Sequence, residues 1–373
     1  MKIAVVDHIG NKGGLSRVIR KLLPEIAKMD EKIEIVYFGN KNSILRENLF
    51  NEFKNTKINI KFLNSLYFSY DYSERGYIRK ILNKIQKLVF SKLNFLPSLL
   101  TGNLKDELEK KLKQFDFIYF PWPFLIELPN INIPMAATFH DFNYKYYFSG
   151  VSTYNHSQFK YLDENMKIWL KNVKIIVSNK FTASELRKFY SEIQQKDIEV
   201  IPLGAYSDKE FKNAIIEFDD IKKKFNLPKK YLFCGTNTCS HKNLNPLFAA
   251  LNIVRSKGYD LNLVLTGPGT EIINGAVDHY GVQLINENQN VFGLGYVSNN
   301  ELDIIIENSI CVISPEMYTS DNGPATDGWI KGKPVIVADI PSNREHLSEQ
   351  KVFAQLFNFR NPDDIAEKIL NLM

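Results

Sequence analysis

Most of what would take a chain out of the ordinary globular class is missing here. Among 373 residues there are only three cysteines, and Cys234, Cys239 and Cys311 are too few for a disulfide framework. Cys234 and Cys311 sit inside apolar runs, where a thiol behaves as a small hydrophobe, so a reducing cytoplasm is the expected location. Nowhere do the roughly 18 consecutive apolar residues of a membrane span occur. The opening MKIAVVDHIG lacks the apolar middle of a secretory leader. A Walker A loop, a GxGxxG fingerprint and an Asp-x-Asp metal motif are also absent, which disfavours P-loop hydrolysis and leaves metal use without a signature. The net charge of +5 is too small to require nucleic acid, although it suits an anionic partner.

What is present is globular. Hydrophobic content of 44% and charged content of 24% exclude disorder, and the length allows two cores. Short β-rich runs alternate with helical patterns, the mark of βαβ units around parallel sheets. A first set reads 2–7, 33–39, 58–63, 115–120, 134–140, 174–179 and 197–202. The pattern restarts at 231–235 and continues through 261–267, 290–295, 310–314 and 333–339. Two doubly wound α/β domains are expected, 1–203 and 204–373, with the hinge in the charged stretch 203–230. The segment 75–93 carries six basic residues and no acidic one, with apolar residues at helical spacing. Such a helix can lie on an anionic membrane surface, or pack on its own domain with a solvated lysine face.

Candidate chemistry gathers where strands end. Gly10, Gly13 and Gly14 follow the first strand and precede a helix, so backbone N–H groups there can approach a ligand. A stronger signal follows the strand at Gly235, where His241 and Lys242 stand at a helix entrance; an ammonium and a helix dipole act together on phosphate. Gly267, Gly269 and Gly295 punctuate two further strand ends. The densest stretch runs from Ser314 to Leu347, with Glu316, Thr319, Asp321, Asn322, Gly323 and Pro324 in a loop before a short helix bearing Asp327. A carboxylate at that helix start can accept hydrogen bonds from ribose hydroxyls.

The ordered motifs HKN, LTGPG, GLGYVSNNEL, SPEMY, DGWIKGKPVI and ADIPSNRE resemble the donor domain of the retaining glycosyltransferases of family 4, which share the GT-B architecture of two Rossmann-like domains facing across a cleft. GNKGGLSR, FHD at Phe139 to Asp141, VSNKFTASELRKFY and VIPLG extend a looser likeness over the first half.

The resemblance implies transfer of a sugar from a nucleoside diphosphate sugar to a glycan or lipid-linked acceptor, without a metal or other cofactor, in bacterial surface polysaccharide synthesis. It makes 1–203 the acceptor-binding half, with Gly13, Gly14 and Asp141 on the acceptor side, and 204–373 the donor-binding half. Lys242 is similar to the family's diphosphate lysine, Asp327 to its ribose-binding glutamate, and His140 to a histidine beside the transferred sugar; a satisfied strand-end histidine is the plain alternative for His140. Two departures stand out. Thr319 occupies the position of the first glutamate of the family's acid pair, with Glu316 and Asp321 as the nearest acids, and Thr236 and Asn237 follow Gly235 where the family has an arginine. A non-hydrolysing nucleotide-sugar epimerase, or a nucleotide-sugar-binding protein without catalysis, are the competing readings. The expected location is cytoplasmic, at the inner membrane face if 75–93 binds lipid.

Overall fold

The computed structural model describes residues 1–8, 14–40, 49–63, 96–124, 126–149, 156–203, 217–271 and 290–373. The chain divides into two compact units, Met1–Phe142 with Tyr154–Leu203, and Asn143–Thr153 with Gly204–Met373. Gly10, Gly13 and the basic segment 75–93 lie outside the described residues.

The first unit holds a seven-stranded sheet of β1 (Lys2–Asp7), β2 (Glu34–Asn40), β3 (Ile58–Leu63), β4 (Phe117–Phe120), β5 (Met135–Thr138), β6 (Lys174–Val177) and β7 (Ile198–Val200), in the order β3-β2-β1-β4-β5-β6-β7. Every adjacent pair is parallel, with Ile3 opposite Ile35 on one side and Phe117 on the other. Parallel strands covered on both faces need continuous apolar runs, and the central β1 supplies one: Ala4, Val5 and Val6 are fully buried. Leu104, Leu108 and Leu112 form the buried stripe of the helix Leu96–Leu112, at the spacing of one helix face.

In the second unit β8 (Tyr231–Gly235), β9 (Asn262–Thr266), β10 (Val291–Gly293), β11 (Val312–Ser314), β12 (Val335–Ala338) and β13 (Gln355–Phe357) form a six-stranded sheet, ordered β10-β9-β8-β11-β12-β13. It too is parallel throughout. Side chains alternate along β8. Leu232 and Cys234 enter one core layer with Leu247, Leu251 and Val254 of the helix Leu244–Ser256 and Ile365 and Ile369 of the helix Pro362–Leu370. Tyr231 and Phe233 enter the opposite layer with Ile221, Ile305 and Ala325.

Three expectations need correction. The strand read at 134–140 stops at Thr138, so His140 lies beyond it in a loop. The strand β13 carries no run long enough to announce itself, and sequence reading passed over it. The stretch 203–230 is not all hinge, because Phe218–Phe225 is a helix that buries Ile221 in the second core. Among the described residues no helix is long and apolar enough to cross a membrane.

Candidate functional site

In a doubly wound sheet the strand order reverses at one point, and a crevice opens there beyond the carboxyl ends of the two strands. In the second unit that point lies between β8 and β11. The chain leaving β8 makes a single 3-10 turn, Ser240–Lys242, and enters the helix Leu244–Ser256 through Asn243 in a left-handed conformation. The side chain of Asn243 does not cap its own helix. Its amide donates to the carbonyls of Pro315 (3.0 Å) and Phe359 (2.7 Å), tying the helix start to the segment leaving β11. The first N–H groups of the helix are therefore not capped by Asn243, and they lie at the positive end of its dipole.

The loop leaving β11 is strapped against this turn, with Met317 N–H donating to the His241 carbonyl at 2.8 Å. Its Glu316 carboxylate pairs with the Lys242 ammonium at 2.9 Å, the side chains being 4% and 17% exposed. Burial alone would lower the lysine's pKa, but the Glu316 charge and hydrogen bond outweigh it and hold Lys242 protonated above its usual value. Burial and the neighbouring Lys242 charge push His241 well below the usual imidazole range, so it is neutral. His241 Nδ1, Glu316 Oε2 and Ser314 Oγ are all buried without a hydrogen-bond partner. Three such atoms at two adjacent strand exits are unusual, because buried polar groups are nearly always satisfied.

Neighbouring strand exits close the crevice with backbone. Gly267 has φ +126°, and a Cβ there would stand 1.9 Å from the Thr236 carbonyl oxygen. Its N–H donates to the Gly295 carbonyl (2.7 Å), while Gly295 N–H donates to Thr270 Oγ1 (2.9 Å). Gly235 packs on Pro324, whose Cγ would lie 3.1 Å from an added Cβ. Asn322 caps the helix Gly323–Ile330 through Ala325 N–H (3.1 Å) and donates to Asn343 Oδ1 (3.0 Å), which is anchored in turn on the Ala338 carbonyl (2.8 Å). Thr319 is buried, and its hydroxyl donates to the Asp321 carbonyl at 2.8 Å. Asp327 is buried in the second turn of that helix, a little deeper than the helix-start position read from sequence.

Comparison with known proteins meets this geometry. The family described as Glycosyl transferases group 1 matches residues 228–373, the unit just described. The protein carries a group 1 glycosyltransferase domain. None of the curated proteins compared is significantly similar in sequence. Sucrose-phosphate synthase from Thermosynechococcus elongatus is similar over 100% of this chain and 89% of its own, at 15% identity and a TM-score of 0.63. HepE from Anabaena, solved with UDP-glucose, covers 100% and 89% at 12% identity and a TM-score of 0.64. WaaG, a glycosyltransferase involved in lipopolysaccharide biosynthesis, covers 99% and 90% at 11% identity and a TM-score of 0.62. The fold is GT-B, and both sheets take part in the likeness.

The glycosyltransferase domain brings Gly235, His241, Lys242, Gly267, Gly295, Thr319, Asp321, Asn322, Gly323, Pro324 and Asp327 into one compact unit. Gly14, His140 and Asp141 belong to the other. His140 donates from Nε2 to the Pro121 carbonyl (3.0 Å) and meets the Trp122 ring edge to face at 5.9 Å. Sequence reading missed the partnership of Glu316 with Lys242 and the asparagine chain 322–343. The only sequence signal for Glu316 was an acid directly after a buried strand and a proline.

Proposed function

We propose that this glycosyltransferase moves a sugar from a nucleoside diphosphate donor to a glycan or lipid-linked acceptor, with retention at the anomeric carbon. The observation that carries the reading is the coincidence, at one switch point, of the start of the helix Leu244–Ser256 with the mostly buried, protonated Lys242. Charge builds on the diphosphate as the glycosidic bond to it breaks, and a preorganised ammonium beside helix N–H groups stabilises that charge without reorganising. The proposed reaction draws on these two groups and is metal-independent.

Asp327 is the candidate for the ribose hydroxyls and His140 for the side of the transferred sugar. The likeness to HepE solved with UDP-glucose and to WaaG supports a uridine nucleotide sugar and a role in bacterial surface polysaccharide at the cytoplasmic membrane face. The test is thermal stabilisation by UDP, GDP and ADP, since a ligand of the native state raises its melting temperature by mass action. Stabilisation by one of them that Lys242→Ala abolishes is the expected result, and no stabilisation of the wild type overturns the assignment. Product analysis with donor alone and then with lipid-linked acceptors separates transfer from chemistry on the donor itself.

A further inference from the structure

The Lys242 ammonium already has a counter-charge of its own. Glu316 holds it at 2.9 Å from a position 4% exposed, so the diphosphate end of the crevice is nearly neutral in local charge, although it is built to hold a polyanion. The pairing is a poor bargain for stability. Two charges are taken out of water, and one carboxylate oxygen, Oε2, is left buried without a donor. A buried ion pair can usually be replaced by apolar side chains at no loss, so its retention calls for another account. Glu316 has almost no surface to offer a ligand, and it is near enough to the buried Cys234 thiol to raise a pKa that burial raises first.

We propose that Glu316 is a built-in counterion and positioning residue, which fixes the Lys242 ammonium and tempers the affinity of the crevice for nucleoside diphosphate so that this product can leave. The inference rests on the donor-site reading above. A lysine has three N–H donors, and one spent on Glu316 leaves two to face a phosphate. The attraction of the ammonium for the diphosphate is then opposed by the carboxylate held 2.9 Å from it. A fully expressed charge would bind donor and product alike, which slows release without lowering the barrier.

The experiment is calorimetric titration of UDP, with GDP and ADP in parallel, into the full chain and into Glu316→Gln and Glu316→Asp, at two salt concentrations. Glu316→Gln is expected to bind the diphosphate about tenfold tighter than wild type, with a steeper salt dependence, because a charge repelling the ligand has been removed. Glu316→Asp retracts the carboxylate by one methylene and is expected to fall between the two, which keeps the inference testable if the Gln variant does not fold. Unchanged or weakened affinity in the folded variants, with wild-type binding intact, overturns the counterion role and leaves the donor site standing. Absence of binding by wild type to all three nucleotides overturns both.

Discussion

The two sheets share one strand order over six strands and differ in how densely unsatisfied polar groups gather at their strand exits. In the first, several groups at the exits pair inside the domain: Tyr37 donates to Asp7 at 2.8 Å, His8 Nε2 donates to the Phe124 carbonyl at 2.5 Å, and the Tyr119 and Thr138 hydroxyls meet at 2.7 Å, while the Thr182 hydroxyl beyond β6 is buried without a partner. In the second, His241, Ser314 and Glu316 each keep a buried polar atom without a partner, and Ser342 after β12 does the same. A shared fold therefore does not imply shared chemistry. The denser group, on His241, Ser314, Glu316 and Ser342, lies in the part of the chain that matches a glycosyltransferase family, residues 228–373.

The sharpest way to break this contrast is to remove one charge of the buried pair. Lys242→Met leaves Glu316 uncompensated and should cost about 3–5 kcal/mol of unfolding free energy in a denaturant titration, with Lys242→Met/Glu316→Leu recovering most of it. An equal loss in the double variant would show that the pair is not what couples them.

Acid should test the first domain next. Burial lowers the pKa of His8 to about 4, while the unfolded chain takes up the same proton near 6.5. Between those values the unfolded state binds more protons, so stability is complete above about pH 6.5 and falls by about 3 kcal/mol as pH drops to 4. His241 acts in the same direction in the second domain. His8→Gln should flatten the pH profile of the first domain alone, and an unaltered profile would contradict the buried neutral imidazole.

Smaller changes probe the backbone. Gly267→Ala forces a Cβ against the Thr236 carbonyl at φ +126° and should cost about 2 kcal/mol. Gly332→Ala, with φ +66° and no atom within 4 Å, should cost about 1 kcal/mol, because it meets strain without a clash. The caps should come last and equal. Ser298, which closes a capping box with Glu301, and Asn179, which accepts from Thr182 N–H at 2.7 Å, each belong to scaffold, and alanine at either should cost about 1 kcal/mol in thermal unfolding. A cap in one domain worth several times the other would mean that the two scaffolds are not equivalent.

Much of this was legible in the sequence where local signals and burial agree. The strands β1, β3 and β8 match their apolar runs residue for residue. Lys242 at a helix entrance was equally plain. What escaped depends on distance along the chain. Glu316 lies far from Lys242 in sequence, and nothing local shows that a strand crossover sets them face to face. Asn343 reaches Asn322 only because β12 and its following helix return to the same edge. His140 read as part of a strand because Phe139 extends the apolar run, yet the ladder ends at Thr138.

Asn243 joins places that are 72 and 116 residues away from it, one of them the Phe359 carbonyl. For a chain made from its amino end, this gives the crevice an order of assembly. The β8 exit and its helix can form early, but the clamp on Asn243 closes only after the segment around Phe359 has left the ribosome and docked. An incomplete chain that stops short of Phe359 would hold Asn243 by the Pro315 carbonyl alone.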